Sequence, residues 1–166
     1  MKKVIILLFL TSVVYFFSIK DEIVIPKESI RFRIIANSNS IEDQALKNRI
    51  KSDLIDNILP NTVKETYSSS EVLIAESIPK IKESLNKYNV NYRIDYGNNY
   101  FPQQQYKGIT YPKGKYKSLV ITLDSGLGDN YWCVLYPPLC LVKEDNNTTN
   151  IEYKSLIKEV LNNFNI

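Results

Sequence analysis

The spacing of the apolar residues changes once along this chain, and this change restricts the fold more than any other feature. Between residues 41 and 88 the apolar side chains recur at helical spacing. From residue 90 onward apolar and polar residues alternate, as in a strand with one buried face. Helices followed by a run of strands predict a single α+β domain, in which the helices pack on one face of an antiparallel sheet of about four strands.

One strand and one well-delimited helix are predicted ahead of that change. Residues 31–36 (RFRIIA) alternate polar and apolar before becoming fully apolar, which indicates a strand. Ser40 and Asp43 have the spacing of a capping box with a shortened acid, so a helix should begin here. Pro60 should end that helix.

The later elements follow from the same patterns. Helical spacing runs from Ile74 to Tyr88, and Pro79 inside it predicts a kink or a broken start. Beyond the strand that starts at residue 90, further strands are predicted at 100–110, 115–123 and 131–136. The last two should form an antiparallel hairpin, because a Ser-Gly-Leu-Gly turn separates them. A polar spacer and an amphipathic helix complete the chain.

Composition excludes several classes of function. The chain has 166 residues, 44% of them hydrophobic, which suits one domain with a core of its own. It has no histidine, so Ser-His-Asp and Cys-His relays, histidine ligands for zinc and a histidine general base are excluded. The net charge of +3 comes from scattered lysines and arginines and forms no basic stripe for nucleic acid. We expect no nucleic-acid partner, no metal and no cofactor.

The first twenty residues predict export. Lys2 and Lys3 precede the uncharged run 4–19 (VIILLFLTSVVYFFSI), as in a signal peptide or an N-terminal membrane anchor. The run is slightly shorter than a typical transmembrane helix and offers no Ala-x-Ala cleavage site, so both alternatives stay open. The positive-inside tendency places the rest of the chain outside the cytoplasm. The predicted segments are a signal or anchor at 1–20, a tether at 21–29, an exported domain at 30–142 and a tail at 143–166.

Both cysteines and the single tryptophan lie within eleven residues, 130–140 (NYWCVLYPPLC). Cys133 and Cys140 can bridge only if the chain reverses between them, and Pro137-Pro138 is a plausible place for the reversal. Their spacing differs from that of a Cys-x-x-Cys redox pair, and two thiols without histidine are a poor metal site. A structural disulfide and two free thiols remain as the alternatives.

Two further features suggest function. Asp124-Ser125-Gly126 follows an apolar strand, as in an aspartic protease, although one copy could act only in a homodimer. The same three residues are ordinary turn formers. The chain also has 12 tyrosines, dense between residues 88 and 136. Their number favours an aromatic sheet face that binds a protein, with core packing as the alternative.

Two segments resemble one known family. Residues 31–40 (RFRIIANSNS) with 42–47 (EDQALK) are similar to the opening of stage II sporulation protein R, and 128–140 (GDNYWCVLYPPLC) are similar to its closing signature. The resemblance extends over residues 31–141. Mild departures are Asn39, Tyr131 and Tyr136, where the family favours Asp, Trp and Phe.

The resemblance implies a signalling protein that is not an enzyme and has no catalytic residues to carry over. Members are exported from the forespore into the intermembrane space and activate a mother-cell membrane aspartic protease, which processes the precursor of an early sporulation sigma factor. Residues 4–19 could hold the protein at the membrane. The candidate partner contacts are Trp132, Tyr131, Tyr136, Phe101, Asn37 and Asp43. The alternative is an extracytoplasmic hydrolase that uses Asp124.

Overall fold

The computed structural model describes residues 23–142 and 149–164, so the predicted signal or anchor segment lies outside the described residues. In chain order the elements are β1 (Ile23–Val24), β2 (Ile30–Ile35), α1 (Ile41–Asn57), a 3₁₀ turn (Leu59–Thr62), α2 (Tyr67–Asn86), β3 (Tyr92–Phe101), β4 (Gln104–Tyr106), β5 (Ile109–Tyr111), β6 (Gly114–Leu123), β7 (Asn130–Tyr136), a second 3₁₀ turn (Leu139–Leu141) and α3 (Asn150–Asn163). The α+β class and the C-terminal helix are confirmed.

The main sheet has four strands in the order β3-β6-β2-β7. β3 runs antiparallel to β6, and β7 runs antiparallel to β2, as expected. β2 and β6, however, are parallel, so the sheet is mixed. The predicted hairpin between β6 and β7 is wrong, because β2 lies between these two strands. The loop after β6 therefore crosses the end of β2 before β7 begins.

Local capping explains where the helices begin. Ser40 has an extended backbone, and its hydroxyl accepts a hydrogen bond from the backbone N–H of Asp43, so α1 begins at Ile41 as predicted. Thr66 caps α2 in the same way through Ser69. The second helix therefore begins seven residues before Ile74. It continues as one helix through Pro79.

Helices α1 and α2 cover one face of the main sheet. Its central strands contribute Phe32, Ile34, Leu119 and Ile121 to this core, all fully buried. The helices contribute side chains at helical spacing, which are also fully buried: Ile50, Leu54, Ile74, Ile81 and Leu85. Burial of an aliphatic side chain of this kind contributes roughly 1.5–3 kcal/mol, so this layer fixes which face of each strand points towards the helices.

A second, smaller core lies beside the main sheet. Strands β1, β5 and β4 form a three-stranded sheet in that order, in which β1 is parallel to β5. The strand predicted at 100–110 is thus the end of β3 followed by the β4–β5 hairpin, whose turn includes Gly108 at a φ of 74°. Helix α3 packs Tyr153, Ile157 and Leu161 on this sheet. Val134 of β7 belongs to the same cluster and joins the small sheet to the main one.

Candidate functional site

The face of the main sheet opposite α1 and α2 carries two arginines among aromatic rings. Arg31 and Arg33 alternate along β2 with the core residues Ile30, Phe32 and Ile34, so both side chains point to this face. Trp132 lies opposite Arg33 on β7. The Cζ atom of Arg33 is 4.9 Å from the centroid of the Trp132 ring. The sequence RFR, with one aromatic residue between two arginines, thus sends the charges to one side of the sheet and the ring to the other.

Arg31 is buried to an unusual degree for a charged residue. Its side chain is 3% exposed. Its Cζ atom is 4.3 Å from the ring centroid of Tyr116 and 5.7 Å from that of Tyr111. Within the described part of the chain, the Nε and Nη2 atoms of Arg31 have no hydrogen-bond partner. Burial lowers the pKa of this guanidinium, and the nearby Tyr116 partly offsets the effect.

Cation–π contacts stabilise the buried guanidinium but do not use its hydrogen-bond donors. Such a contact contributes about 2 kcal/mol or more when it is desolvated, whereas each buried donor left without an acceptor costs about 1–3 kcal/mol, and more in a charged group. Arg33 is in a similar position, because its Nε atom is also buried without a partner. Burial lowers the pKa of Arg33 as well. Arg31 and Arg33, which are neighbours on this face of β2, therefore have N–H donors that could bind an anion.

A cleft of about 1020 Å³ runs along the outer edge of β7. One wall includes Trp132, Phe101 and Arg31, and the other includes Lys51 and Asp56 of α1. Gln104, Gln105 and Tyr106 of β4 face the same space. Both β7 and β4 are the end strands of their sheets as far as the described residues go. The cleft is thus bounded by the end strands of the two sheets.

Asn130, at the beginning of β7, is a further lining residue with unused polar capacity. Its Oδ1 atom is buried and has no partner among the described residues. It lies on the same face of β7 as Trp132 and Val134, because alternate residues of a strand share a face. Arg31 pairs with Val134, which is four residues after Asn130 on β7. At ~3.3 Å per residue, Asn130 and Val134 are roughly 13 Å apart along the strand. The cleft therefore has a polar group near each end and an aromatic group between them.

The two cysteines form a disulfide, with Cα atoms 5.7 Å apart. A cis peptide bond precedes Pro137, and the 3₁₀ turn Leu139–Leu141 brings Cys140 back to the strand. Cys133, Leu139 and Cys140 all line the cleft. The disulfide thus holds the loop after β7 against its own strand, and of the two alternatives left by the sequence the structure contains the bridge.

The polar segment before α1 serves a different purpose from the cleft. The carboxylate of Asp43 accepts hydrogen bonds from Asn37 Nδ2 at 2.9 Å and from Ser38 Oγ at 2.6 Å. Asn37 Oδ1 in turn accepts one from the hydroxyl of Ser125 at 2.6 Å, and Asn39 Oδ1 accepts one from the backbone N–H of Asp129 at 2.6 Å. These bonds connect the end of β2 to the loop that precedes β7.

Gly128 and Lys47 complete the connection between the two segments. The backbone N–H of Gly128 donates to the Ala36 carbonyl at 2.9 Å, and a Cβ on this glycine would overlap the carbonyl of Ser38. Lys47, 6% exposed, donates to Gln44 Oε1 at 2.6 Å and to the Asp129 carbonyl at 3.0 Å. Asn37 and Asp43, predicted as partner contacts, are partly buried and make hydrogen bonds within the protein.

The structure brings together three of the six predicted contact residues. Trp132, Tyr131 and Phe101 line the cleft. Tyr136 does not; it is 5% exposed and stacks edge-on against Tyr67 and Phe164. The residues that the sequence reasoning missed are Arg31 and Arg33. The alternation within residues 31–36 could have indicated that both arginines share a face with the later aromatic strand residues.

Asp124 lies in an exposed turn. Its φ is 46°, and its Oδ1 atom accepts a hydrogen bond from Asn91 Nδ2 at 3.0 Å. Among residues 23–142 and 149–164, no group of three or more Cys, Asp and Glu side chains is arranged to hold a metal ion. None of the described helices is both long and apolar enough to cross a membrane.

Comparison with known proteins places these features in a family. The profile of the family described as "Stage II sporulation protein R" matches residues 26–146. A stage II sporulation protein R of Bacillus subtilis (strain 168) is 39% identical in an alignment of 132 residues that covers 75% of this chain and 58% of that relative. The matched part thus spans less than two thirds of the relative's length. No protein of solved structure matches the chain.

Proposed function

Since this chain belongs to the stage II sporulation protein R family, we propose that it is an exported sporulation signal that activates a membrane aspartic protease. The substrate of that protease would be the precursor of an early sporulation sigma factor. In this proposal the chain acts by binding, and it shifts the protease to its active state because it binds that state more tightly than the inactive one.

The observation that carries the proposal is the cleft along β7. It combines an aromatic wall, a buried arginine whose Nε and Nη2 atoms have no hydrogen-bond partner among the described residues, and two sheet edges. Aromatic and arginine side chains dominate the energetics of protein–protein contacts. These are the properties of a recognition surface, and the two long segments that resemble the family contribute Arg31 and Trp132 to it.

Export is the second part of the proposal. Lys2, Lys3 and the apolar run 4–19 would carry the chain across the forespore membrane into the intermembrane space, as a cleaved signal or as an anchor. The disulfide between Cys133 and Cys140 supports this route, because disulfides persist mainly in oxidising compartments. A fusion of residues 1–20 to an enzyme that is active only outside the cytoplasm should show the activity of that enzyme. A control fusion that keeps Lys2 and Lys3 but has four of the apolar residues replaced by Asp should be inactive.

Reconstitution of sigma-factor processing tests the activation step. The full chain, the candidate protease and the sigma-factor precursor are produced together in a bacterium that does not sporulate, and the processed sigma factor is quantified by immunoblot. Processing should require all three proteins. If the precursor is processed equally without this chain, or is never processed with it, the activator proposal is refuted.

Two variants locate the activity. Trp132→Ala should reduce processing at least about tenfold, because a central aromatic contact typically contributes 2 kcal/mol or more to binding. Tyr100→Ala is the matched control, since Tyr100 is an aromatic residue of β3 that is 59% exposed and does not line the cleft. Asp124→Asn should have no effect, and asparagine tolerates the positive φ of this position. Loss of processing in Asp124→Asn with full activity in Trp132→Ala would favour the hydrolase alternative.

A further inference from the structure

The unpartnered polar groups of the cleft have a chemistry that specifies its occupant. We propose that the cleft along β7 binds an extended, acidic segment of a partner protein, whose carboxylate pairs with the guanidinium of Arg31. This inference deepens the proposed function by naming the chemical class of the partner segment, and it rests on that proposal for the identity of the partner.

Charge is the first argument. The described residues that line the cleft include two cations, Arg31 and Lys51, against one carboxylate, Asp56. Arg33 adds a third cation behind the Trp132 ring, 4.9 Å from its centroid. No described carboxylate lies within ion-pair distance of Arg31, which is 3% exposed. A buried guanidinium without a counter-charge is costly, and a carboxylate, the anionic group of unmodified polypeptide side chains, matches its planar, bidentate donor geometry.

The form of the ligand is the second argument. Asn130 offers a buried acceptor atom without a partner among the described residues, while Arg31 offers buried donors. A simple anion could use only the donors, whereas a polypeptide supplies both the N–H groups and the carboxylate oxygens. The distance of roughly 13 Å between the two positions corresponds to four steps of an extended chain.

The sheet edges are the third argument. β7 and β4 are the outermost strands of their sheets in the described part of the chain, and both line the cleft. An extended peptide can lie along such an edge, where its alternate side chains give specificity. In this arrangement one acidic side chain would reach Arg31, and the next residue on the same face would lie against Trp132.

Intrinsic fluorescence provides a direct assay, because Trp132 is the single tryptophan of the chain. The full chain, purified in detergent micelles, is titrated with the capped hexapeptide Val-Glu-Val-Glu-Val-Glu and with its neutral analogue Val-Gln-Val-Gln-Val-Gln. The acidic peptide should give a saturable change and bind at least about tenfold more tightly than the neutral one, which is typical of a charge-assisted hydrogen-bonded pair. Equal binding of the two peptides, or no binding of the acidic one, would overturn the inference.

Three variants assign the effect to the cleft. Arg31→Lys keeps the charge but loses the planar fork, and it should weaken binding of the acidic peptide about tenfold. Asn130→Asp adds a negative charge without changing the size of the side chain, so it should weaken binding of the acidic peptide and leave binding of the neutral peptide unchanged. Arg93→Gln is the control, because Arg93 is an exposed arginine on the same face of the sheet, on the distant strand β3. An equal loss of affinity in Arg93→Gln would show that general electrostatic attraction is responsible, and would refute a built site.

Two outcomes separate this inference from related ideas. If neutralising Glu144 and Asp145 alone changes the Trp132 fluorescence and raises the peptide affinity, the occupant is a segment of this chain, and the partner inference is overturned. Peptide binding is measured without the protease. Failure of the peptide assay therefore refutes the acidic-segment inference alone, whereas failure of sigma-factor processing with intact peptide binding refutes the proposed activation.

Discussion

Breaking the bridge between Cys133 and Cys140 should lower the stability of the protein by an amount that the loop length predicts. The two cysteines are 7 positions apart, so the closed loop contains eight residues, 133 through 140. The chain-entropy relation for a loop of this length gives about 2.5 kcal/mol at 25 °C. For a domain of this size, that loss corresponds to a fall in Tm of about 5–10 °C.

The native contacts of the loop support this magnitude. Cys140 and Leu139 are 9% and 4% exposed, so the loop is packed against the rest of the protein. This packing already orders the loop in the native state, whether or not the disulfide is present. The bridge therefore acts mainly on the unfolded chain, whose loop closure it enforces. The same loop lines the cleft, so its release should also weaken the binding of the acidic peptide.

Urea unfolding followed by Trp132 fluorescence measures the effect, with and without a reductant. A variant with Cys133→Ala and Cys140→Ala is the control, since it should have the stability of the reduced protein and should not respond to reductant. A stability difference below about 0.5 kcal/mol, or an equal response of the double variant to reductant, would refute the reasoning. Alkylation of free thiols before and after reduction reports the state of the bridge in the same samples.

Three further changes test the contacts around the cleft and the helices. Gly128→Ala should cost about 1–3 kcal/mol in urea unfolding, because its Cβ would overlap a backbone carbonyl; Gly97→Ala, whose Cβ would lie 3.3 Å from the end of a flexible side chain, should cost much less, and equal costs would contradict this. Lys47→Met should cost about 1–3 kcal/mol, because it leaves a part-buried amide oxygen and a carbonyl without their donor; an unchanged unfolding midpoint would show that water replaces the lysine without loss. Asp53 accepts a hydrogen bond from Ser84, which holds its pKa below the ordinary 3.8. Its contribution should be complete above about pH 5 and should disappear as the pH falls through the lowered pKa, so Asp53→Asn should destabilise the protein at pH 7 and lose that effect at pH 2; a difference that does not depend on pH would contradict the assignment.

The elements that the sequence predicted well are those with local causes. The start of α1 was predictable because the cap, Ser40 with Asp43, lies in four consecutive residues. The strand that begins at residue 92 followed from its alternation, and those at 114 and 130 followed from the turn residues that separate them. Thr66, which caps α2, was missed because Ser and Thr are frequent in that polar stretch and no single one stands out in the sequence.

The strand order was not predictable in the same way. The turn residues between β6 and β7 are compatible with a local hairpin and also with a loop that passes the end of β2. Only contacts between residues that are far apart in the sequence decide between these two arrangements. The decision is made by bonds such as that from the Leu127 N–H to the Asn37 carbonyl at 3.0 Å. The cleft was missed for a related reason. Arg31 on an alternating strand suggests a solvated face, whereas the rings that bury it come from β5 and β6, some eighty residues further along the chain.

The two segments that resemble the family form one structural unit, and this suggests why both are long. Asn39, from the first segment, fixes the backbone of Asp129 in the second through a bond of 2.6 Å, immediately before β7 pairs with β2. That pairing places Trp132 opposite Arg33, and a slip of one residue would send Trp132 to the helix-covered face of the sheet. The polar residues before α1 therefore set the register of β7 and, through it, the composition of the cleft. A change at Asn37, Asn39 or Asp43 should consequently alter the cleft, although none of these three residues is among those that line it.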